Sequence, residues 1–596
     1  MNDHSPRWII TLDGATLPDK DLIGGKAWSV ARMLSLGLPV PPAFVVTTQA
    51  CRAFLADGSL PAGLEEEIAQ GIAYLEARTE RTFGHGPKPL LVSVRSGAPI
   101  SMPGMMDTVL NLGITPQTEA SLAAECGDAA FARDVHRRFH DLYAHIVLKA
   151  AACEFDGKAN AADWDAQIRA ATGASLPESL RERLFAAVRA VFDSWNSRRA
   201  RRYRDHHGIP HELGTAVTIQ AMVFGNLDAR SGTGVLFSRN PLTGAPQPYG
   251  EYLARAQGED VVSGKFTPDA LSAMRASVPA AHAALMSAAS TLERASGDVQ
   301  DIEFTVQNGE LYLLQSRAAK RAPAAAVRIA VDMVREGLID EDVALARVTP
   351  EQVRLLLAPH LAGGEADRAE VLATGEGACP GVGRGIVVTD ADAAEARAKA
   401  GEAVILARPT TSPEDVHGML AAKAVITETG GSTSHAAVVS RALGLPCVVG
   451  CGSGKLAALA GRSVTVDGAF GRVFAGSLDV VTPREEDDEN LAFFAAWARR
   501  RSPLAVLRPG DAAAGPVVDL AALDGGEDPA RLPALLGGAK GARGGAIASD
   551  EGVRAALQAK LDFIIGEPVL PLLLAAIHAG RQQPDDETLA AETAQS

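Results

Sequence analysis

From Trp8 to Gln315 the chain alternates short apolar, β-branched runs with longer Ala-rich stretches whose apolar residues recur every three or four positions. LLVSV (90–94) and TAVTIQAMV (215–223) are representative strand-like runs, and the mixture predicts one large α/β unit. From about Ala318 to Gly363 the period becomes helical. AAVRIAVDMVREGL (325–338) spaces its apolar residues for one helix face, and Thr349-Pro350 reads as an N-cap followed by a first-turn proline. Beyond Gly375 strand-like runs return at AVILA (403–407), KAVIT (423–427), PCVVG (446–450) and SVTVD (463–467), with helical stretches between them. They predict a compact α/β unit reaching about residue 480. PREEDDEN (483–490) is an acidic, exposed pattern; LDFIIG (561–566) and PLLLAAIHAG (571–580) read as a strand and a helix. The expected divisions are 1–317, 318–374, 375–480 and 481–580, followed by a polar, disordered tail at 581–596.

A length of 596 residues agrees with several cores rather than one. With 47% hydrophobic and 22% charged residues, the composition is that of a soluble α/β protein. A formal net charge of -15 disfavours broad contact with nucleic acid, which rests on neutralising phosphates, but leaves room for local sites that take small phosphates. Six scattered cysteines do not form a disulfide framework and fit a reducing cytoplasm. MNDHSPRW lacks an apolar signal core, and the stretch 569–579, interrupted by Pro571, is too short to span a bilayer, so no membrane role is expected.

The densest chemical signal is TGGSTSHAAVV (429–439), in which Gly430 and Gly431 and three hydroxyl residues lead into a helix starting near His435. Free N–H groups and the positive dipole end at a helix start favour an anion, Thr433 and Ser434 add hydroxyl donors, and a histidine there can act as a nucleophile. The plainer alternative is a Ser434 cap beside a surface histidine. Upstream, IGGKAWSVARMLSLGLPVPPAFVVTT (23–48) places Lys26 after a Gly-Gly turn, as a point charge for a phosphate or as a surface lysine. LVSVRSGAPISMPGMMDTVLNLG (91–113) ends a strand at Arg95 and continues into a loop with Gly104, which suits phosphate approach or Met-rich packing. In QDIEFTVQNGELYLLQSR (300–317) a hairpin turning at Asn308-Gly309 brings Glu303, Gln315 and Arg317 together. Glu303 and Gln315 are oxygen ligands suited to Mg²⁺, or partners in an inter-strand network. GCGSGK (450–455) has P-loop flavour, but Leu456 and the glycine spacing break the pattern, and it reads as a turn. Cys447 and Cys451 have no second ligand pair in range and read as structural.

These blocks together resemble the pyruvate, phosphate dikinase family. GGSTSHAAVVSRALGLPCVVGCG (430–452) is similar to the phosphohistidine signature that family shares with phosphoenolpyruvate synthases and phosphotransferase Enzyme I. TSPEDVHGM (411–419) matches the dikinase version in particular. The blocks at 23–48, 91–113, 217–244, 249–264 and 300–317 are similar to its nucleotide-binding domain. Thr429 and Ser432 stand where the family has arginine and methionine, and Pro99 where it has another arginine.

The resemblance implies an α/β multidomain architecture: an ATP-grasp-like domain, a helical linker, a swivelling phosphohistidine domain and a short C-terminal α/β remnant. It implies that His435 carries the phosphoryl group, supported by Gly430, Gly431, Thr433 and Ser434. Lys26, Arg95, Gly104, Gln220, Met222, Glu303, Gln315 and Arg317 would bind ATP, with the Met-Pro-Gly loop closing over the phosphates. Glu303 and Gln315 would hold Mg²⁺, and 220–224 would lie beside adenine. The reaction implied is ATP plus phosphate giving AMP, diphosphate and phosphohistidine, then transfer to pyruvate. The 116 residues after 480 are fewer than the roughly 250 of a complete (β/α)₈ barrel, the family's pyruvate/phosphoenolpyruvate site. The acceptor is therefore expected on a partner chain or an altered C-terminus. Transfer to an alcohol or phenol and a non-catalytic nucleotide-binding regulator are the alternatives. A homodimer is left open.

Overall fold

The computed structural model describes residues 8–582 except 101, 103, 151–152, 263–265, 358–359, 362–363, 444, 482 and 527. The expected tail thus lies outside the described residues from 583 onward.

The first unit rests on two five-stranded antiparallel sheets. In one, Ala216–Ala221 lies at the centre between Ala43–Val46 and Val92–Gly97. Its run AVTIQA is buried along its whole length because helices and the second sheet cover both faces. Phe139, Val188 and Phe192, from helices Ala129–Ile146 and Leu180–Ser194, pack with Val92, Val94 and Ile219 on one side. On the other, helix Lys20–Ser35 shares a core with the second sheet and helix Pro279–Ser296.

The second sheet contains the hairpin Gln300–Gln307 and Glu310–Ala318. Asn308 and Gly309 both have positive φ, 52° and 84°, as a two-residue turn with matching strand twist requires. In this register Glu303 is directly opposite Gln315, and a bulge follows Glu303.

Helices Pro323–Arg335, Glu341–Arg347 and Pro350–Leu356 follow, the last capped by Thr349 with Gln352 completing the capping box. These helices are not a free-standing linker. Val327, Val331, Leu345 and Val353 share one apolar core with Phe494, Leu570 and Ile577 from helices Glu489–Arg501 and Val569–Gln582. An amphipathic helix must bury its apolar face, and here the C-terminal helices cover it. The C-terminal part also holds a four-stranded parallel sheet made from Ala505–Leu507, Val517–Asp519, Gly541–Arg543 and Phe563–Ile565.

Between the two sets of helices lies an eight-stranded sheet. Its strand Val371–Thr374 pairs with Arg472–Ala475, so this unit starts before residue 375; the short run VLAT carried too little pattern to reveal that in sequence. Helix His435–Leu443 is the crossover between parallel strands Ala424–Thr427 and Cys447–Val449. Crossover geometry puts the helix start, and His435 with it, at the carboxyl end of the sheet. The chain segments leading in and out pair as His360–Leu361 with Val480–Val481. Among the described residues no helix is long and apolar enough to cross a membrane.

Candidate active site

A cavity of about 930 Å³ opens between the two antiparallel sheets, and the unit bearing His435 contributes to its wall. Lys26, Arg95, Gly104, Gln220, Met222, Glu303, Gln315, Arg317, Thr433 and His435 all line it. Gly430, Gly431 and Ser434 are not among its lining residues.

Lys26 is directed there by the Gly-Gly turn. Gly24 has φ 73°, and a Cβ on it would lie 1.8 Å from the Gly97 carbonyl oxygen, so only glycine lets the helix press against the Arg95 strand. The Gly25 N–H donates to the Ala98 carbonyl at 2.9 Å and locks that approach. Burial, and after it the charge of Arg95, push the Lys26 ammonium down to about 7, against the pull of Glu303.

Arg95 donates to Glu303 at 2.9 Å, and Arg317 donates to Asp301 at 2.8 Å. Asp301 also lines the cavity; the sequence reading passed over it, although its place two residues before Glu303 on a strand puts both side chains on one face. Burial works to raise the Glu303 pKa, but Arg95, Arg317 and Lys26 outweigh it and hold the carboxyl below the usual range. Across the hairpin, Gln315 Oε1 is buried and has no protein partner. Gln220 is buried on the central strand with its amide donating to the Pro41 carbonyl at 3.1 Å, and the Met222 N–H donates to the Leu91 carbonyl.

On the facing wall, His435 Nδ1 lies 3.1 Å from Thr411 Oγ1, whereas Nε2 is buried without a partner. Burial pushes the ring's pKa down to about 4, with Asp415 opposing, so the imidazole is neutral at pH 7. Thr411 was not singled out from sequence, where a threonine 24 residues before the histidine carries no spacing signal. Gly104 has φ 68°, and a Cβ there would come within 2.8 Å of Pro413 Cγ and 3.3 Å of the His435 ring. Glycine at this point lets the ring approach the loop. Met102 and Met105 bury against Ala436 and Ala437 of the His435 helix, so the loop both lines the cavity and packs. Ser101 and Pro103 of this loop lie outside the described residues.

The hydroxyls expected to face a phosphoryl group are used differently. Thr433 donates to Glu251 of the first unit, as does Ser432 at 3.1 Å. Tyr249 OH bonds Ser432 Oγ at 2.7 Å and Glu376 at 2.8 Å. Burial raises the Glu251 pKa. Gly431 leaves room for the Glu251 carboxylate, whose Oε1 would lie 2.6 Å from a Cβ there, and Gly430 adopts φ 106°. Ser434 Oγ is buried and unpartnered, and its N–H donates to the Gly431 carbonyl, so it does not act as the helix cap. Two glycine-bearing turns therefore do different jobs. The GCGSGK turn uses the N–H groups of Gly454 and Leu456 to hold the carboxylate of Glu428, at 2.9 and 3.1 Å, where a P-loop would hold phosphate.

A family model described as pyruvate phosphate dikinase, AMP/ATP-binding domain, matches residues 20–80, 55–281 and 274–338. One described as PEP-utilising enzyme, mobile domain, matches 400–471. The pyruvate, phosphate dikinase of Rhizobium meliloti (strain 1021) is 40% identical over 546 residues, covering 83% of this chain and 61% of its own. The chloroplastic pyruvate, phosphate dikinase of Flaveria trinervia is 43% identical over 527 residues, covering 83% of this chain and 55% of its own. Pyruvate, phosphate dikinase 2 of Zea mays is 42% identical over 527 residues, with 83% and 59% covered. The chain thus spans less than two-thirds of the length of these relatives. With matches of this extent over both the cavity-forming unit and the His435 unit, the chain belongs to the pyruvate, phosphate dikinase family.

Proposed function

We propose that this chain is an ATP-dependent phosphotransferase that phosphorylates its own His435 with ATP and phosphate, releasing AMP and diphosphate. Pyruvate or a pyruvate-like acceptor takes the phosphoryl group onward. The observation that carries this reading is the unpartnered Nε2 of a neutral His435 in the same cavity as Lys26, Arg95, Glu303, Gln315 and Arg317. Nδ1 is engaged by Thr411, so Nε2 is the nucleophile. It forms the N–P bond as AMP departs with the P–O electron pair, and phosphate then takes the outer phosphoryl group as diphosphate. Lys26, Arg95 and Arg317 hold the polyphosphate, and the wall at Gln220 and Met222 receives the base.

Mg²⁺ fits the donor set: Glu303 is held ionised, Asp301 lies beside it in sequence register, and the buried Gln315 oxygen lacks any protein donor. When bound there, the ion would neutralise phosphate charge. Two facing antiparallel sheets with a cavity between them support an ATP-grasp-like reading of the first unit. The paired segments His360–Leu361 and Val480–Val481, both leading to the His435 unit, support a swivelling role for it.

The test is incubation with MgATP, with and without phosphate, followed by nucleotide analysis and intact-protein mass under alkaline conditions. AMP with one added phosphoryl group, absent in His435→Ala, is the expected result. ATP binding without AMP at any phosphate concentration would make the chain a nucleotide-binding regulator instead.

A further inference from the structure

His435 is oriented by a short turn within the TSPEDVHGM run (411–419). Thr411 Oγ1 meets its Nδ1, and Pro413 packs against Gly104 of the first unit. Asp415 organises that turn. Its Oδ2 accepts from the Ser412 N–H at 2.8 Å and from Ser412 Oγ at 3.3 Å, and its own N–H donates to the Ser412 carbonyl at 3.0 Å. Its Oδ1 lies 3.1 Å from Arg408 Nε, while Arg408 Nη1 donates to the Thr389 carbonyl at 2.9 Å. The Asp415 side chain is buried.

Phosphorylation changes the charge of the ring. The neutral imidazole attacks through Nε2; the N–P bond forms, the P–O bond breaks, and its electron pair leaves with the departing oxygen. Nδ1 keeps its proton and uses it in a hydrogen bond to Thr411 Oγ1, so the ring leaves the step as a phosphorylated imidazolium with one positive charge. Burial opposes positive charge at this ring. The 98–106 loop that touches it contains no charged residue. Elsewhere on the cavity wall the basic residues are Lys20, Lys26, Arg32, Arg95, Arg317 and Arg347, while Glu303 and Asp301 are paired with Arg95 and Arg317, and Asp298 with Arg321 and Arg347. Asp415, four residues on from Thr411 in the turn that meets Nδ1, is a carboxylate whose charge favours the protonated ring.

We propose that Asp415 is a positioning residue for phosphoryl transfer at His435: it anchors the turn that fixes the ring, and its carboxylate offsets the charge the ring gains. Arg408 tempers that carboxylate. The inference rests on His435 as the phosphoryl carrier, but not on ATP as the donor.

The test uses phosphoramidate, a small-molecule phosphoryl donor, on the full chain, with phosphate on the His435 peptide followed by mass. Asp415→Asn, which keeps an acceptor for Ser412, slows labelling about tenfold. It also moves acid-driven loss of the phosphoryl group about one pH unit lower, because less of the phosphorylated ring is protonated. Arg408→Gln moves that profile to higher pH, and Asp415→Glu restores most of the wild-type behaviour. An unmoved profile in Asp415→Asn, or a shift in the same direction in Asp415→Asn and Arg408→Gln, overturns the proposal, since the second result marks general damage to the turn. If ATP labels no variant while phosphoramidate gives the expected order, the ATP reading fails and this one stands.

Discussion

On one side of the cavity, Arg95 and Arg317 are held against Glu303 and Asp301, with Lys26 beside them, its basicity lowered by burial and then by the charge of Arg95. On the other, His435 is kept neutral by burial and is touched by a hydroxyl, a proline-bearing turn and a glycine. The charged side is suited to attract and grip a polyanion, because pairing offsets part of the cost of holding charges in a partly dry cleft and the arginines can re-partner with phosphates. The neutral side is suited to attack it, because a protonated imidazole has no lone pair to offer. On the proposed reading, binding and reaction fall to different units of the chain, both of which line the cavity.

Four predictions test that division, the largest effect first. His435→Asn should abolish protein-bound phosphoryl while nucleotide still binds, measured by intact mass beside equilibrium binding; surviving label would put the nucleophile on the charged side. Glu303→Gln should slow phosphorylation about a hundredfold, roughly 3 kcal/mol, and raise the Mg²⁺ concentration needed, because it removes a proposed ligand and takes a negative charge from beside Arg95, Arg317 and Lys26. A Mg²⁺ titration that superimposes on wild type would remove Glu303 from the metal's donor set. Gly104→Ala combines a positive φ with a Cβ against the ring, and should slow phosphorylation about tenfold with ATP affinity changed less than about twofold. Equal losses in both would show that the two sides are not separable.

The smallest effect is a proton count. Lys26 stands near 7 in the free protein, and bound phosphates favour its charged form. Binding at about pH 8 should therefore take up close to one proton, and below about pH 6 almost none. Calorimetry in buffers of different ionisation enthalpy reads this directly. The same uptake in Lys26→Met would assign the proton to another group.

Local signals read well where one element carries the information. The Asn308-Gly309 turn set the hairpin register, Thr349-Pro350 marked a helix start, and the helix beginning at His435 lies where its glycine and hydroxyl run ends. Signals that depend on distant partners did not. Thr433 resembles a phosphate donor in sequence, but its hydroxyl is taken by Glu251, 182 residues earlier. Helices 323–356 looked like a linker because the apolar face that covers them comes from residues after 489. Asp301 and Thr411 lie inside the quoted blocks 300–317 and 411–419, but nothing local marked them as members of the site.

The sequence by itself determined many of the element types, the glycines that permit close approach and most of the candidate residues that line the cavity. Periodicity, turn chemistry and side-chain type are properties of short segments, so a linear reading reaches them. Only the tertiary structure decided which nitrogen of His435 is free, how far Lys26 and the ring lose their charge, and which carboxylate acts on that ring. Each of these depends on desolvation and on charges brought together from distant parts of the chain, and neither exists until the units are packed.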